Sequence, residues 1–262
     1  MTIPFQRTAA TVRGAGAEAA ALAHHLVRYP TGIPPERRPR PCPDRPVPPT
    51  APPRHDPVLL LHGFVDNRAV FGPLRRELHR HGWTHLHALN HSPLTRDVRA
   101  AAVLLARHVE WAVQAHGGRP VALVGHSLGG LIARYYVQRL GGHELVPEVV
   151  TLATPHEGTT AALLPNPFPI TRQLRPGSDL LAELRLPAPR CTSRFTTVRA
   201  ELDEVVLPRR GARLDHPDLA VTDVAVPGTG HVGLPAHPRA VAAVRTALET
   251  WAAGPLTERH AC

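Results

Sequence analysis

The sequence predicts an α/β domain: a mainly parallel central sheet of about six strands with helices on both faces, and a lid-like insertion after the fourth strand. Three observations carry this. Short apolar runs alternate with longer helical segments from residue 57 onward. The strand runs are apolar on both parities, the pattern of strands covered on both faces. One glycine-framed turn, Gly125-His126-Ser127-Leu128-Gly129, joins such a run directly to a helix.

In chain order, Val58–Leu61 reads as a strand and 70–81 as a helix, then Thr84–Leu89 as a strand and 97–116 as a helix. Val121–Val124 follows with a helix over 128–140, and Val149–Leu152 is the fourth strand. The alternation breaks between Thr154 and Arg190, where prolines at 165, 167, 169, 176, 187 and 189 surround one helix over 177–185. A long segment of this kind after a strand end is expected to act as a lid over the ligand edge of the sheet. Phe195–Val198 and Val221–Val226 complete the strands, and 238–252 is the last helix.

Upstream, 14–28 reads as a helix with Leu22, Leu26 and Tyr29 on one stripe, which either docks on the main domain or lies on a membrane surface. Twelve prolines fall between Pro30 and Pro57. Proline lacks an amide donor and fixes φ, so this tract is expected to be a polyproline II linker, neither helix nor central strand. The chain thus divides into an N-terminal helix (1–29), a proline-rich linker (30–56) and the α/β domain (57–262). No apolar run approaches the roughly 20 residues that span a bilayer. The longest uninterrupted N-terminal stretch, Ala19–Ala23, is too short for a secretory signal. A cytoplasmic or cell-associated monomer is the resulting expectation.

The net charge of +9 invites a nucleic-acid reading, so its location matters. Residues 1–56 hold eight arginines and four acids, leaving the α/β domain only mildly basic with both signs interspersed. The three Tyr, three Trp and five Phe do not interleave with basic residues in the manner that stacks bases, so no nucleic acid is expected as partner. All 30 cationic residues are arginine, which excludes lysine nucleophiles and Schiff bases. Cys42, Cys191 and Cys262 show no C-x-x-C spacing, so neither a zinc ribbon nor a dithiol redox site is suggested.

The glycine-framed turn carries the chemistry. A G-x-S-x-G sequence between a strand and a helix is a nucleophile elbow: the serine sits on a sharp turn, and the flanking glycines avoid collision. The helix N-terminus then points partial positive charge at the reacting atom. Upstream, Val58–Leu61 runs into His62-Gly63-Phe64, whose loop would supply one oxyanion-stabilising amide, that of Phe64. Leu128, following the serine, would supply the other. His62 is expected to hold this loop by a hydrogen bond.

Serine needs a base and an orienting acid, in the order Ser, Asp/Glu, His in this arrangement. His231, in Pro227-Gly228-Thr229-Gly230-His231-Val232-Gly233, follows the last strand between flexible glycines, and is preferred to His216, His237 and His260. For the acid, Asp203 is favoured after the strand ending at Val198, with Glu201, Glu204 and Asp215 as alternatives. Asp223 lies at the wrong end of its strand. His85 and His87 share a strand face in a manner that could suit a metal, but no Cys or acidic cluster completes a site, so no metal or cofactor is expected.

These residues resemble a known family. Leu60–Phe71, A-L-N-H-S-P-L-T (88–95), V-G-H-S-L-G-G-L-I-A-R-Y-Y (124–136), T-L-A-T-P-H-E-G-T (151–159) and G-T-G-H-V-G-L (228–234) are similar to small bacterial, actinobacterial-type triacylglycerol lipases and esterases of the α/β-hydrolase superfamily. The resemblance covers about residues 57–252. It implies the α/β-hydrolase fold, a Ser127–Asp203–His231 triad, an oxyanion hole from Phe64 and Leu128, and substrate contacts by His62, His126, Pro155 and His156. It also implies hydrolysis of a lipid or small-molecule ester, with contact to a lipid surface. Glu157 departs from the pattern, placing a charge near the pocket, and the 160–190 insertion is longer than in the smallest relatives, many of which are secreted. Thioester hydrolysis or acyl transfer on the same triad, and an idle binding module of the same fold, are the alternatives.

Overall fold

In the computed structural model, residues 56–90, 96–165 and 167–254 are described, together with Gly16, Ala23, Val27 and residues 29–32 upstream. The remainder of the expected N-terminal helix and nearly all of the proline tract lie outside the described residues. One correction falls at their junction. Tyr29 to Gly32 are helical, so the first residues of the tract continue a helix, as the fixed φ of Pro30 permits.

Six strands form one sheet in the order β2-β1-β3-β4-β5-β6: β1 (Val58–Leu61), β2 (Leu86–Leu89), β3 (Ala122–His126), β4 (Glu148–Leu152), β5 (Arg194–Ala200) and β6 (Ala220–Val226). Every neighbouring pair is parallel, with Leu61 opposite both Leu89 and Gly125, and Leu152 opposite both His126 and Val198. This register brings the C-terminal ends of β1, β3, β4 and β5 to one edge, where the functional loops emerge.

Alternate residues of each strand feed two separate cores. Leu59, Leu61, Leu123, Val149 and Phe195 pack under helices α2 (Val98–Ala115) and α3 (Leu128–Arg139). Val58, Leu60, Val124, Val150 and Val198 pack on the other face against α1 (Gly72–Arg80) and α5 (Pro238–Ala253), where Trp83 stacks on Trp251 with centroids 6.5 Å apart. Each such side chain contributes about 1.5–3 kcal/mol on leaving water. Helix starts follow from local chemistry: Asp97 accepts the Arg99 N–H, and Pro238 opens α5 where a missing N–H costs nothing.

The two-sided cover stops short of β6. Most of its residues are exposed or half-buried, because the connection from β5 contains only a 3₁₀ turn, Arg209–Ala212, and no α-helix to lie across it.

The insertion after β4 holds two 3₁₀ turns, Thr160–Leu163 and Pro169–Leu174, and one short helix, α4 (Asp179–Arg185), capped by Ser178. Its second half is fastened to α3. Arg134 Nη2 and Gln138 Nε2 donate to the Leu184 carbonyl at 2.9 and 2.8 Å, and Arg139 donates to the Leu186 and Pro187 carbonyls. From α2, Arg99 Nε donates to both Glu183 oxygens at 3.0 and 3.1 Å. The bonds from α3 satisfy carbonyls that the end of a helix leaves unpaired, while the Arg99 pair is made to a carboxylate. Among the described residues no helix is long and apolar enough to cross a membrane.

Candidate active site

The turn after β3 is tight enough to dictate its sequence. Ser127 sits at φ 52° and ψ −117°, and its N–H donates to the Leu152 carbonyl at 2.8 Å. A Cβ on Gly125 would lie 2.5 Å from Gly130 Cα, and one on Gly129 would lie 2.3 Å from the Leu61 carbonyl oxygen. Both obstructions are backbone, so neither position accepts a side chain. Among the described residues three non-glycines have positive φ: Val65, Ser127 and Ala153 at 51°, 52° and 47°, following the ends of β1, β3 and β4 respectively. Strain of about 1–3 kcal/mol at each is typical of functional loops.

The turn after β1 presses on the serine. A Cβ on Gly63 would come 3.1 Å from Ser127 Cβ and 3.3 Å from His126 Nδ1. Phe64, the next residue, turns its ring edge onto Phe168 of the insertion at 5.2 Å. Leu128 opens α3, where the first N–H groups have no partner within the helix.

On the other side, Asp203 is fully buried, and its Oδ2 lies 3.0 Å from His231 Nδ1. Asp203 Oδ1 accepts the N–H groups of Val205 and Val206 at 2.9 and 2.7 Å, which fixes the carboxylate plane. The carboxylate accepts a hydrogen bond from Nδ1–H, leaving Nε2 as the basic atom of the imidazole. His126 ties this side to the serine turn: its Nε2–H donates to the His231 carbonyl at 3.2 Å, and the two rings lie 5.0 Å apart. Burial, foremost, lowers the His126 pKa, keeping that ring neutral against the pull of Asp66.

The structure draws Ser127, Asp203, His231, Phe64 and Leu128 to one edge of the sheet. It treats the expected substrate contacts differently. His62, His126, Pro155 and His156 are all buried. His62 Nδ1–H donates to the Gly63 carbonyl at 2.8 Å, and His156 Nε2 meets Thr151 Oγ1 at 3.0 Å inside the fold. The His62 bond is the loop-holding one expected of it, and His156 makes its bond within the fold. Burial lowers the pKa of both, so each is held neutral.

The other candidates fall elsewhere. Asp223 is held by Arg199 with two contacts of 2.7 Å in the middle of β6. Asp215 lines a polar cleft of about 1150 Å³ with Glu157, Arg185, Arg210 and Arg213. Glu157 is paired to Arg185 there, so its charge is compensated. His216 bonds the Leu186 carbonyl at 3.1 Å, His237 caps α5, and His260 lies outside the described residues. Glu204, weighed as the acid, instead accepts the His231 backbone N–H at 3.2 Å. That role was not anticipated, although adjacency to Asp203 was its signal. His85 and His87 meet His116 across the sheet edge, with His87 Nε2 and His116 Nε2 3.1 Å apart. Among the described residues no group of three or more His, Cys, Asp or Glu could hold a metal ion.

Residues 56–177 match the family described as alpha/beta hydrolase fold. Lysophosphatidylserine lipase ABHD12 of Gallus gallus is 30% identical over 137 residues, covering 48% of this chain and 34% of that protein. The chain therefore spans about a third of that curated relative's length. Among solved structures, the mature form of Bacillus licheniformis lipase BlEst2 superposes with a TM-score of 0.64 at 17% identity, over 75% of this chain and 93% of that one. Aspergillus fumigatus lipase B gives 0.65 at 18% identity, over 75% and 53%. With the parallel six-stranded sheet, these matches establish the α/β-hydrolase fold.

Proposed function

We propose that this α/β-hydrolase-fold chain is a serine carboxylic-ester hydrolase acting on acylglycerols or other lipid-like esters. The observation that carries the reading is the 3.0 Å contact between buried Asp203 and His231, tied through His126 to the strained turn of Ser127. Ser127 Oγ attacks the ester carbonyl while His231 Nε2 takes its proton. Asp203 stabilises the imidazolium that forms. The amides of Phe64 and Leu128 hold the oxyanion, each contributing a few kcal/mol at the transition state. His231 returns the proton to the departing alcohol, and water releases the acid from the acyl-enzyme by the same steps. Every role is filled by a side chain or amide of this chain.

A lipid-like acyl group is supported by exposed apolar side chains on the loops that follow β4 and Asp203. Leu163 and Leu164 are exposed, and so are Val205 and Leu207, whose carbonyls accept hydrogen bonds from Thr159 and Thr160. The names of the similar proteins, lipases and a lysophosphatidylserine lipase, support the same class.

A panel of p-nitrophenyl esters from C2 to C16, extended to a lysophospholipid and a thioester, tests the reading, with Ser127→Ala as background. Turnover above that background and fluorophosphonate labelling of Ser127 are expected. Wild-type turnover equal to the background, without labelling, overturns the enzyme reading in favour of a binding module. Thioesters cleaved far faster than oxyesters would move the assignment to a thioesterase.

A further inference from the structure

Two asparagines pin the turn that follows β1. Asn67 Oδ1 accepts the Ala69 N–H at 2.9 Å, and the Asn67 N–H donates to Asp66 Oδ1 at 2.6 Å. Asn90, just beyond β2, accepts the Arg68 N–H on its Oδ1 at 3.0 Å. The amide nitrogens of both side chains reach in another direction. Asn67 Nδ2 donates to the Tyr29 carbonyl at 2.8 Å, and Asn90 Nδ2 donates to the Gly32 carbonyl at 2.6 Å. Both acceptors belong to the helical residues at the start of the proline tract, Tyr29 to Gly32.

The contact is close-fitting. A Cβ on buried Gly32 would lie 1.9 Å from Asn67 Oδ1 and 3.0 Å from the Ala69 nitrogen. The same turn contains Val65, a β-branched residue at φ 51°. Such a conformation persists only where the surroundings over-determine it. The preceding residue is Phe64, whose N–H is the proposed oxyanion donor.

We infer that residues 29–32 form a strap that holds the turn after β1 in the shape that aims the Phe64 N–H at the oxyanion, with Asn67 and Asn90 as positioning residues. The inference rests on the ester-hydrolase reading above. Without the strap both Nδ2 groups turn to water, Val65 relaxes and the amide swings away. A donor matched to the oxyanion acts at the transition state more than on the bound ester, so its loss falls on kcat and spares KM.

The test uses the full chain. Gly32→Ala drives the strap off Asn67. Asn90→Asp keeps the acceptor for Arg68 and removes the donor to Gly32. Val27→Ala, at a site 78% exposed in the same arm, is the control. Active sites are counted with a fluorophosphonate, and kcat and KM are measured on a short p-nitrophenyl ester. The affinity for an alkyl boronic acid, whose tetrahedral adduct places an oxygen in the oxyanion hole, is measured alongside. Gly32→Ala and Asn90→Asp should each lower kcat per titrated site about tenfold, with KM within about twofold and boronate affinity falling in parallel. Unchanged kcat per titrated site in both variants, with the activity loss explained by fewer sites or by KM, overturns the strap while leaving the ester-hydrolase reading intact. A wild-type chain with neither turnover nor labelling overturns that reading, and the strap with it.

Discussion

Asp203 presents its two carboxylate oxygens unequally to its surroundings: Oδ2 lies 3.0 Å from His231 Nδ1, while Oδ1 also receives the Val205 and Val206 amides. Asp203→Asn keeps an acceptor for those amides but turns a donor toward His231, which forces the wrong tautomer. Activity should fall by about 10³–10⁴ while stability changes little. Asp203→Ala should lose comparable activity and in addition about 2 kcal/mol, from two buried amides left unpaired. Ester kinetics and urea unfolding on the two variants separate these outcomes.

The glycines of the nucleophile turn should differ in their tolerance. Gly129→Ala drives a methyl against the Leu61 carbonyl, which cannot step aside, whereas the obstacle at Gly130 is the Thr154 side chain, 1.9 Å from the new Cβ. Gly129→Ala should cost about 3 kcal/mol or more, and Gly130→Ala should be partly rescued by Thr154→Gly. Thermal unfolding of the single and paired variants measures this directly.

Acid should weaken the fold through His87. Burial first, then His116, His85 and Arg75, push its pKa down to about 4. The folded state binds fewer protons than the unfolded chain between that value and the ordinary 6.5. Stability is therefore complete above about pH 6.5 and declines by up to about 3 kcal/mol as pH falls to 4. His87→Asn should flatten the slope of unfolding free energy over that window. Buried His62, His126 and His156 shift in the same direction and keep part of it.

Glu148 runs the other way. Burial lifts its pKa to about 7 despite Arg194 and the Thr196 hydroxyl. The folded state binds more protons than the unfolded chain between 4.5 and 7, so this stability is present at low pH and lost as pH rises through that interval. Glu148→Gln keeps an acceptor for Thr196 and should raise stability by about 1–3 kcal/mol at pH 8, with no gain at pH 4.5. Denaturant titrations at the two pH values suffice.

The parts of this molecule that were legible in the sequence are those written in periodicity and close steric need. Two-sided apolar runs marked the strands of the central sheet, and Gly125 and Gly129 marked a turn that no side chain could enter. The placing of Ser127, Asp203 and His231 at one edge of the sheet was legible because each follows a strand end. What was hidden depends on side-chain direction. The loop-holding bond of His62 follows from its place after β1, but the turn of His156 into the fold toward the Thr151 hydroxyl does not show in one dimension. Arg134 reads as a surface cation on a helix but is buried, reaching carbonyls 22 and 50 residues away. Exposure of β6 was equally hidden, since its composition matches the covered strands and only the missing helix after β5 distinguishes it.

That uncovered strand has a bearing on how copies of the protein meet. β6 is the last strand of the sheet, and the midpoint of its seven residues is Asp223, clasped by Arg199. A second copy aligning antiparallel and centred on it would set Asp223 opposite Asp223 and strip water from two ion pairs at once. The sheet thus ends in a strand whose own middle residue opposes that centred pairing.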